Sequence, residues 1–368
     1  MFRANALESG SQGLVSGFDE DVVSIDGHND QDLDGAGGSL RCVAVPLATG
    51  ELETRVRAAR GEVGRTEALT ALHRLLIEPI AEWLPEEPSR TVLIVPHDRL
   101  FLLSFAALLD TTGHHLIERH ALAYTPSLAM LAWTGRERAR EEAESTALVV
   151  GNPHSSATRD GASARAAPLP LLPDAEREAR AVVAALGRRS ELLVGSAADE
   201  TTVRRRAASA PIVHLATHGV IDAADPSASS VALAPTDGSA AGDGRWTLRE
   251  IQADRFNADL VTISACESGL GPISADGVMG LSRAFLVAGA RSVLVSLWRV
   301  ADIPTRFQME RFYQVLAGNG GDRAAALREA QLATLRALRA GDLRAPSGRP
   351  LPESPAFWAP FVLLGEPH

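Results

Sequence analysis

The chain has 368 residues, 45% of them hydrophobic and 22% charged, a globular balance with enough apolar matter for a sizeable core and room for about two domains. A formal charge of -10 and an isoelectric point of about 5.5 argue against nucleic acid as a direct ligand, because phosphate binding needs a basic footprint. Its two cysteines, Cys42 and Cys266, exclude a disulfide framework and suit a reducing, cytoplasmic setting.

In chain order, "MFRANALESGSQGLV" lacks the apolar centre of a secretory signal. No run of about 18 uninterrupted apolar residues predicts a membrane span, and no membrane partner is expected. Residues 1–38 are acidic and glycine-rich without a clear period, which predicts a mobile N-terminal lead or linker. "GSLRCVAVPL" then predicts a strand that includes Cys42, where packing is the simpler role for the thiol. Leu69, Leu72, Leu75, Leu76 and Ile80 recur at helical spacing and predict a helix over 66–84. "TVLIVPHDRL" is a short buried strand ended by proline, and "GHH" at 113–115 is exposed-turn material. The charged stretch 135–146 suits a solvated helix face. These elements define an N-terminal subdomain over 39–146, a candidate degenerate partner half, ahead of a second domain over 147–368.

In the second domain, "TALVVGNP" predicts a strand and 154–173 a loop rich in Ser, Ala, Gly and Pro. A helix over 174–187 opens with an acid and closes with glycine. Strands follow over 210–219, 258–269 and 291–298, with a small-residue helix over 277–290. Helices over 303–318 and 321–341 precede a closing strand over 357–365. Near-continuous apolar strands alternating with helices predict an α/β fold, a mostly parallel central sheet with helices on both faces.

In such sheets function gathers beyond the carboxyl ends of the strands. Two strands end there in reactive residues: "VHLATHG" in His218 and Gly219, and "TISAC" in Cys266. A free thiol is mostly protonated at neutral pH, so a nucleophilic cysteine needs a base. His218 lies 48 residues upstream, which leaves room for a loop, a helix and one more strand between the two. The backbone N–H groups of Cys266 and Gly219 are candidate donors to an oxyanion. The plainer alternatives are a buried cysteine acting as a small hydrophobe and a structural histidine. His214 and His218 are four apart, which on a strand is about 13 Å, too far for one metal ion, so His214 is expected in the core. There is no G-x-S-x-G, no phosphate-binding glycine motif, no HExxH and no CxxC, so neither a cofactor nor a metal is expected.

"VHLATHG", "ISACESGLG", "GLSRAFLVAGARSVLVSLWRVAD" and "FWAPFVLLGE" together resemble the CHAT domain, a family of caspase-like cysteine proteases often found with tetratricopeptide repeats. "LIVPHDRLFLLSFAALL", "YTPSLAML" and "LVVGNP" agree in order, so the resemblance spans roughly residues 66–366. It implies a caspase-hemoglobinase fold, cysteine endopeptidase activity and a protein substrate, with His218 and Cys266 as the catalytic pair. "LWRVAD" is similar to a separase segment whose aspartate receives a basic residue before the cut bond; the resemblance puts that role on Asp302. The same acid also suits a cap for the helix that begins near Ile303. Ser264 stands where metacaspase-like relatives carry an acid, which leaves the implied substrate pocket one carboxylate short. No tetratricopeptide repeat is legible in the sequence, so the family's usual sensor or recruiter is expected either to be absent or to lie in another chain; an activating protein partner is a further expectation.

Two functions stay open on the sequence: an endopeptidase, by family analogy in a bacterial defence pathway, and a caspase-like scaffold that binds partners without cutting. The polar loops 222–230 and 236–244, the second glycine-rich, flank the site and are expected to be mobile, which suits a protease latent until activated.

Overall fold

The computed structural model describes residues 2–7, 21–27, 41–47, 50–61, 65–88, 90–135, 146–155, 169–222, 224–236, 242–267 and 275–368. The chain divides into two compact units, Met1–Leu131 and Ala132–His368. The boundary falls before the expected one at 146, and most of the charged stretch 135–146 lies outside the described residues.

The first unit holds strands β1 (Phe2–Leu7), β2 (Asp21–Gly27), β3 (Arg41–Leu47), β4 (Thr91–Val95) and β5 (Ala121–Tyr124). β1, β2 and β3 form an antiparallel meander, and β4 lies parallel to both β1 and β5. Two strands therefore lie within residues 1–38, where the sequence predicted only a lead or linker. "DVVSIDG" has too few alternations to stand out from its acidic surroundings. Helices α1 (Glu51–Arg60) and α2 (Arg65–Leu76) pack together. The helix expected over 66–84 ends at Leu76, and a 3-10 turn, Glu78–Trp83, follows. Pro79 has no N–H to continue the α-helical ladder. After a one-turn helix α3 (Leu116–Arg119), β5 buries all four of its residues. His115, expected in an exposed turn, is buried, and its Nδ1 lies 2.9 Å from the Ala107 carbonyl oxygen.

Helix α4 (Leu128–Thr134) reaches into the second unit, which then holds β6 (Ala147–Pro153), α5 (Pro173–Leu186), β7 (Ser190–Gly195), α6 (Glu200–Ala207) and β8 (Ile212–Val220). β9 (Ser230–Ala232), β10 (Arg245–Thr247), α7 (Leu248–Ala253), β11 (Leu260–Glu267) and α8 (Ala275–Ala288) come next. β12 (Ser292–Ser296), α9 (Asp302–Gly318), α10 (Arg323–Ala340), α11 (Pro355–Trp358) and β13 (Phe361–Gly365) complete it. The strands lie in the order β7-β6-β8-β11-β12-β13, parallel except for β13. β9 and β10 form an antiparallel hairpin on the end of β8.

Helix α9 packs on both α5 and α10. α5 and α9 cover the face of β8 that carries His214: Glu178 of α5 and Tyr313 of α9 both reach its ring. The crossovers from β8 through β11 to β12 carry α7 and α8, which pack on each other, and α8 packs on β12. Trp246, Phe256 and Phe285 meet with ring centroids 5.3–5.6 Å apart. Arg204 clamps α6 to α7 through a forked pair with Asp254 at 2.8 and 3.0 Å and bonds to Glu200 and Glu250 at 3.0 and 3.1 Å. This is the mostly parallel α/β sheet that the apolar strand pattern predicts. Among the described residues, no helix is long and apolar enough to cross a membrane.

Candidate active site

β8 and β11 are immediate neighbours, in register from Leu260 opposite Ile212 to Glu267 opposite Gly219. Cys266 stands opposite His218 on adjacent parallel strands, which are spaced about 4.8 Å apart. The 47 residues between them include the β9–β10 hairpin and α7, and no strand separates β8 from β11 in the sheet. Both residues lie at the carboxyl end of the parallel strands, where the fold favours a site.

His218 is 3% exposed, and its Nε2 donates to the Pro170 carbonyl at 2.7 Å. A carbonyl can only accept, so the proton resides on Nε2 and the neutral ring presents its lone pair at Nδ1. Nδ1 is buried and has no hydrogen-bond partner among the described residues. Burial holds the ring's pKa below the ordinary histidine value, and the bond to Pro170 opposes that shift. The result is a neutral imidazole at pH 7 with one nitrogen oriented and the other available as a base.

Beneath His218 on the same face of β8 comes Ala216 and then His214. His214 is fully buried, as expected for a core histidine, yet it is held by polar contacts. Its Nδ1 lies 3.2 Å from the Tyr313 hydroxyl, which lies 2.7 Å from the Thr262 hydroxyl. Its Nε2 is 3.2 Å from a Glu178 carboxylate oxygen, within ion-pair distance but not aligned for a hydrogen bond. Ser264 stands opposite Ala216 and is 5% exposed. It therefore belongs to this buried layer. Its hydroxyl has no hydrogen-bond partner among the described residues.

β12 pairs with β11 only as far as Ile263 opposite Val295, so Ser264–Glu267 run beyond it. α9 starts at the same end of the sheet. Its N-cap is Ala301, without a side-chain cap bond, and Asp302 is the first helical residue, so Asp302 does not cap the helix. Asp302 is exposed, and its carboxyl pKa is raised by partial burial, by the nearby Asp174 and Glu178 carboxylates and by a shared hydrogen bond with Asp174, against the influence of Arg299. Gly219 is flanked on both edges, by Glu267 of β11 and Val231 of β9, whereas Cys266 is flanked by β8 alone among the described residues. The glycine turn after Cys266, residues 268–274, lies outside the described residues.

The flanking loop 222–230 is tied down, contrary to expectation. The Asp222 carboxylate accepts from Ala224 and Asp225 N–H groups, and the Asp222 N–H donates to a buried Ser229 hydroxyl. Asp at a turn accepts from backbone two or three residues on, so the string itself carried that signal. In the second loop, residues 237–241 lie outside the described residues. The sequence also gave no role to Pro170 or Tyr313. A backbone carbonyl leaves no residue-type signature, and Tyr313 looks like an ordinary apolar position of its helix. Among the described residues, no group of three or more His, Cys, Asp or Glu side chains has metal-holding geometry.

Residues 66–366 match the CHAT domain family, the span over which the motifs run. Tetratricopeptide repeat protein 28 of Homo sapiens is 30% identical over 345 residues, covering 81% of this chain and 13% of its own length. The Mus musculus protein of the same name is 29% identical with the same coverage, so the chain spans about 13% of the length of these relatives. Two solved folds are distantly similar, each with a TM-score of 0.45. The Saccharomyces cerevisiae separase–securin complex is 14% identical, covering 80% of this chain and 17% of that one. The Arg-specific cysteine proteinase gingipain R is 9% identical, covering 86% of this chain and 74% of that one. With the family match spanning most of its length and its ordered motifs intact, the chain belongs to the CHAT domain family.

Proposed function

We propose that the chain is a cysteine endopeptidase in which Cys266 is the nucleophile and His218 its base. The observation that carries this is the register of Cys266 opposite His218, whose bond to Pro170 leaves Nδ1 free to take a proton. In the proposed cycle Nδ1 takes the thiol proton as sulfur attacks the scissile carbonyl carbon. The oxyanion is held by the Cys266 amide. The C–N bond then breaks, and the imidazolium returns its proton to the leaving amine. Water, deprotonated by the same imidazole, releases the acyl group from sulfur and restores the thiol. No cofactor or metal enters these steps.

The substrate is a protein cut after a basic residue, whose side chain pairs with Asp302. Asp174 and Glu178 beside Asp302 support this choice, because a guanidinium would relieve their mutual repulsion. The chain alone turns over weakly and is stimulated by a partner protein; the 3% exposure of His218 supports such shelter. Sparse cysteine supports a cytoplasmic location, and a bacterial defence setting rests on family analogy alone. A second reading, a scaffold that binds partners without cutting, draws on the relatives' naming for repeats and not for an activity.

The test compares wild type, Cys266→Ala and Asp302→Asn on a peptide library, reading new amino termini by mass spectrometry. Cuts after Arg or Lys in wild type, absent in Cys266→Ala and redistributed in Asp302→Asn, are expected. Equal cutting by Cys266→Ala overturns the nucleophile, and an unchanged basic preference in Asp302→Asn overturns the pocket.

A further inference from the structure

We infer that Asn152 is a positioning residue for His218, acting through the short strap Pro170–Leu172; the inference rests on the role proposed for His218. Asn152 lies at the carboxyl end of β6, where the ladder with β7 jumps from Gly151 opposite Val194 to Pro153 opposite Gly195. It is thus the extra residue of a β-bulge, and its φ of 47° places it in the left-handed region. Asparagine tolerates that region better than most residues, and bulges gather beside active sites, where they re-aim a side chain.

The side-chain carbonyl oxygen of Asn152 accepts the Leu172 N–H at 2.6 Å, and Asn152 is among the groups that hold the nearby Glu176 carboxyl below its ordinary value. A backbone N–H can only donate, which fixes the orientation of the amide. Asn152 is 7% exposed, so this is a sheltered bond.

Packing does not explain where the strap lies. Pro170 is exposed and Leu171 is 60% exposed, so little apolar contact holds either one. Three hydrogen bonds hold the strap: Leu172 N–H to Asn152, the Pro170 carbonyl to His218 Nε2, and the Leu172 carbonyl to the Glu176 N–H of α5 at 3.3 Å. The connection from bulge to base therefore runs Asn152, Leu172, Pro170, His218. Without the Asn152 link the strap keeps only its tether to α5, which does not fix the Pro170 carbonyl over Nε2, and the ring loses the bond that reserves Nδ1 as its basic nitrogen.

The experiment uses the full chain as wild type, Asn152→Gly and Asn152→Asp. Glycine accepts the positive φ but lacks the anchor, whereas aspartate keeps the accepting oxygen. NMR reads the His218 Nε2–H resonance, hydrogen exchange reads the Leu172 amide, and iodoacetamide reads Cys266 reactivity against pH. In wild type the imidazole N–H is seen and the Leu172 amide is protected. In Asn152→Gly both are lost and Cys266 alkylation at pH 7 falls at least tenfold, with its pH profile moved toward that of a free thiol. Asn152→Asp restores the N–H resonance and at least half of the alkylation rate. An Asn152→Gly protein that keeps the resonance and the pH profile overturns the inference, and so does an unprotected Leu172 amide in wild type should the glycine variant fail to fold. An unreactive Cys266 in wild type would count against the peptidase alone, because the imidazole and amide signals judge the strap without any chemistry at sulfur.

Discussion

Tyr313→Phe isolates one hydroxyl at the base of the proposed site. The ring stays: it packs edge-on against His214 at 5.5 Å and Phe312 at 5.0 Å, so the change opens almost no cavity. The loss is two contacts, 3.2 Å to His214 Nδ1 and 2.7 Å to Thr262 Oγ1, among three fully buried side chains. A buried polar group deprived of its partner costs about 1–3 kcal/mol. Two such groups, with some relaxation of the Thr262 hydroxyl, give an expected loss of about 2–4 kcal/mol. Adding Thr262→Val removes one of the orphaned groups, so the double variant should be more stable than the sum of single effects predicts by about 1 kcal/mol or more. Urea unfolding of the four proteins supplies the cycle. A single-variant loss below about 0.5 kcal/mol, the usual range for surface changes, would refute the view that this layer is a coupled polar network.

Arg204→Lys keeps the charge of a side chain that is 27% exposed but loses the fork onto Asp254, with an expected loss of about 1–3 kcal/mol by urea unfolding. Gly151→Ala would put a Cβ 2.6 Å from the Ala179 Cβ and 3.1 Å from the Ala175 carbonyl, pushing α5 off β6, for an expected loss of about 1–3 kcal/mol in the same assay. Because His218 titrates below the ordinary histidine value of about 6.5, the unfolded chain takes up its proton first as pH falls. His218 therefore adds no penalty above pH 6.5 and costs stability from there down to its folded pKa. His218→Asn should flatten the decline in urea midpoint between pH 7.5 and 5, and identical slopes would contradict the shift.

Most of the second unit was legible because its strands are long apolar runs with clear stops. "VHLATHG" and "TISAC" declare themselves as strands whose ends carry chemistry, and β8 and β11 lie where those strings predict. β9 and β10, three residues each, are too short to show a period, and β7 in "SELLVG" is half polar. The pairing of His218 with Cys266 was chemically legible, but its closeness was not, because strand order is set by how crossovers pack and not by the strings themselves. Ser264 entered through the resemblance; two residues back along the strand from Cys266, it shares a face with that residue one layer deeper and is buried. The strap that orients His218 works through backbone groups, which a sequence of side chains does not display.

The most direct test of the central claim is irreversible labelling of the intact chain with an arginyl chloromethyl ketone, with mass spectrometry to locate the adduct. An irreversible label accumulates even on a slow, unactivated enzyme. The account predicts an adduct on Cys266 and not on Cys42, formed at least tenfold more slowly in His218→Ala. Equal labelling of both cysteines, or a rate at Cys266 indifferent to His218, would contradict it.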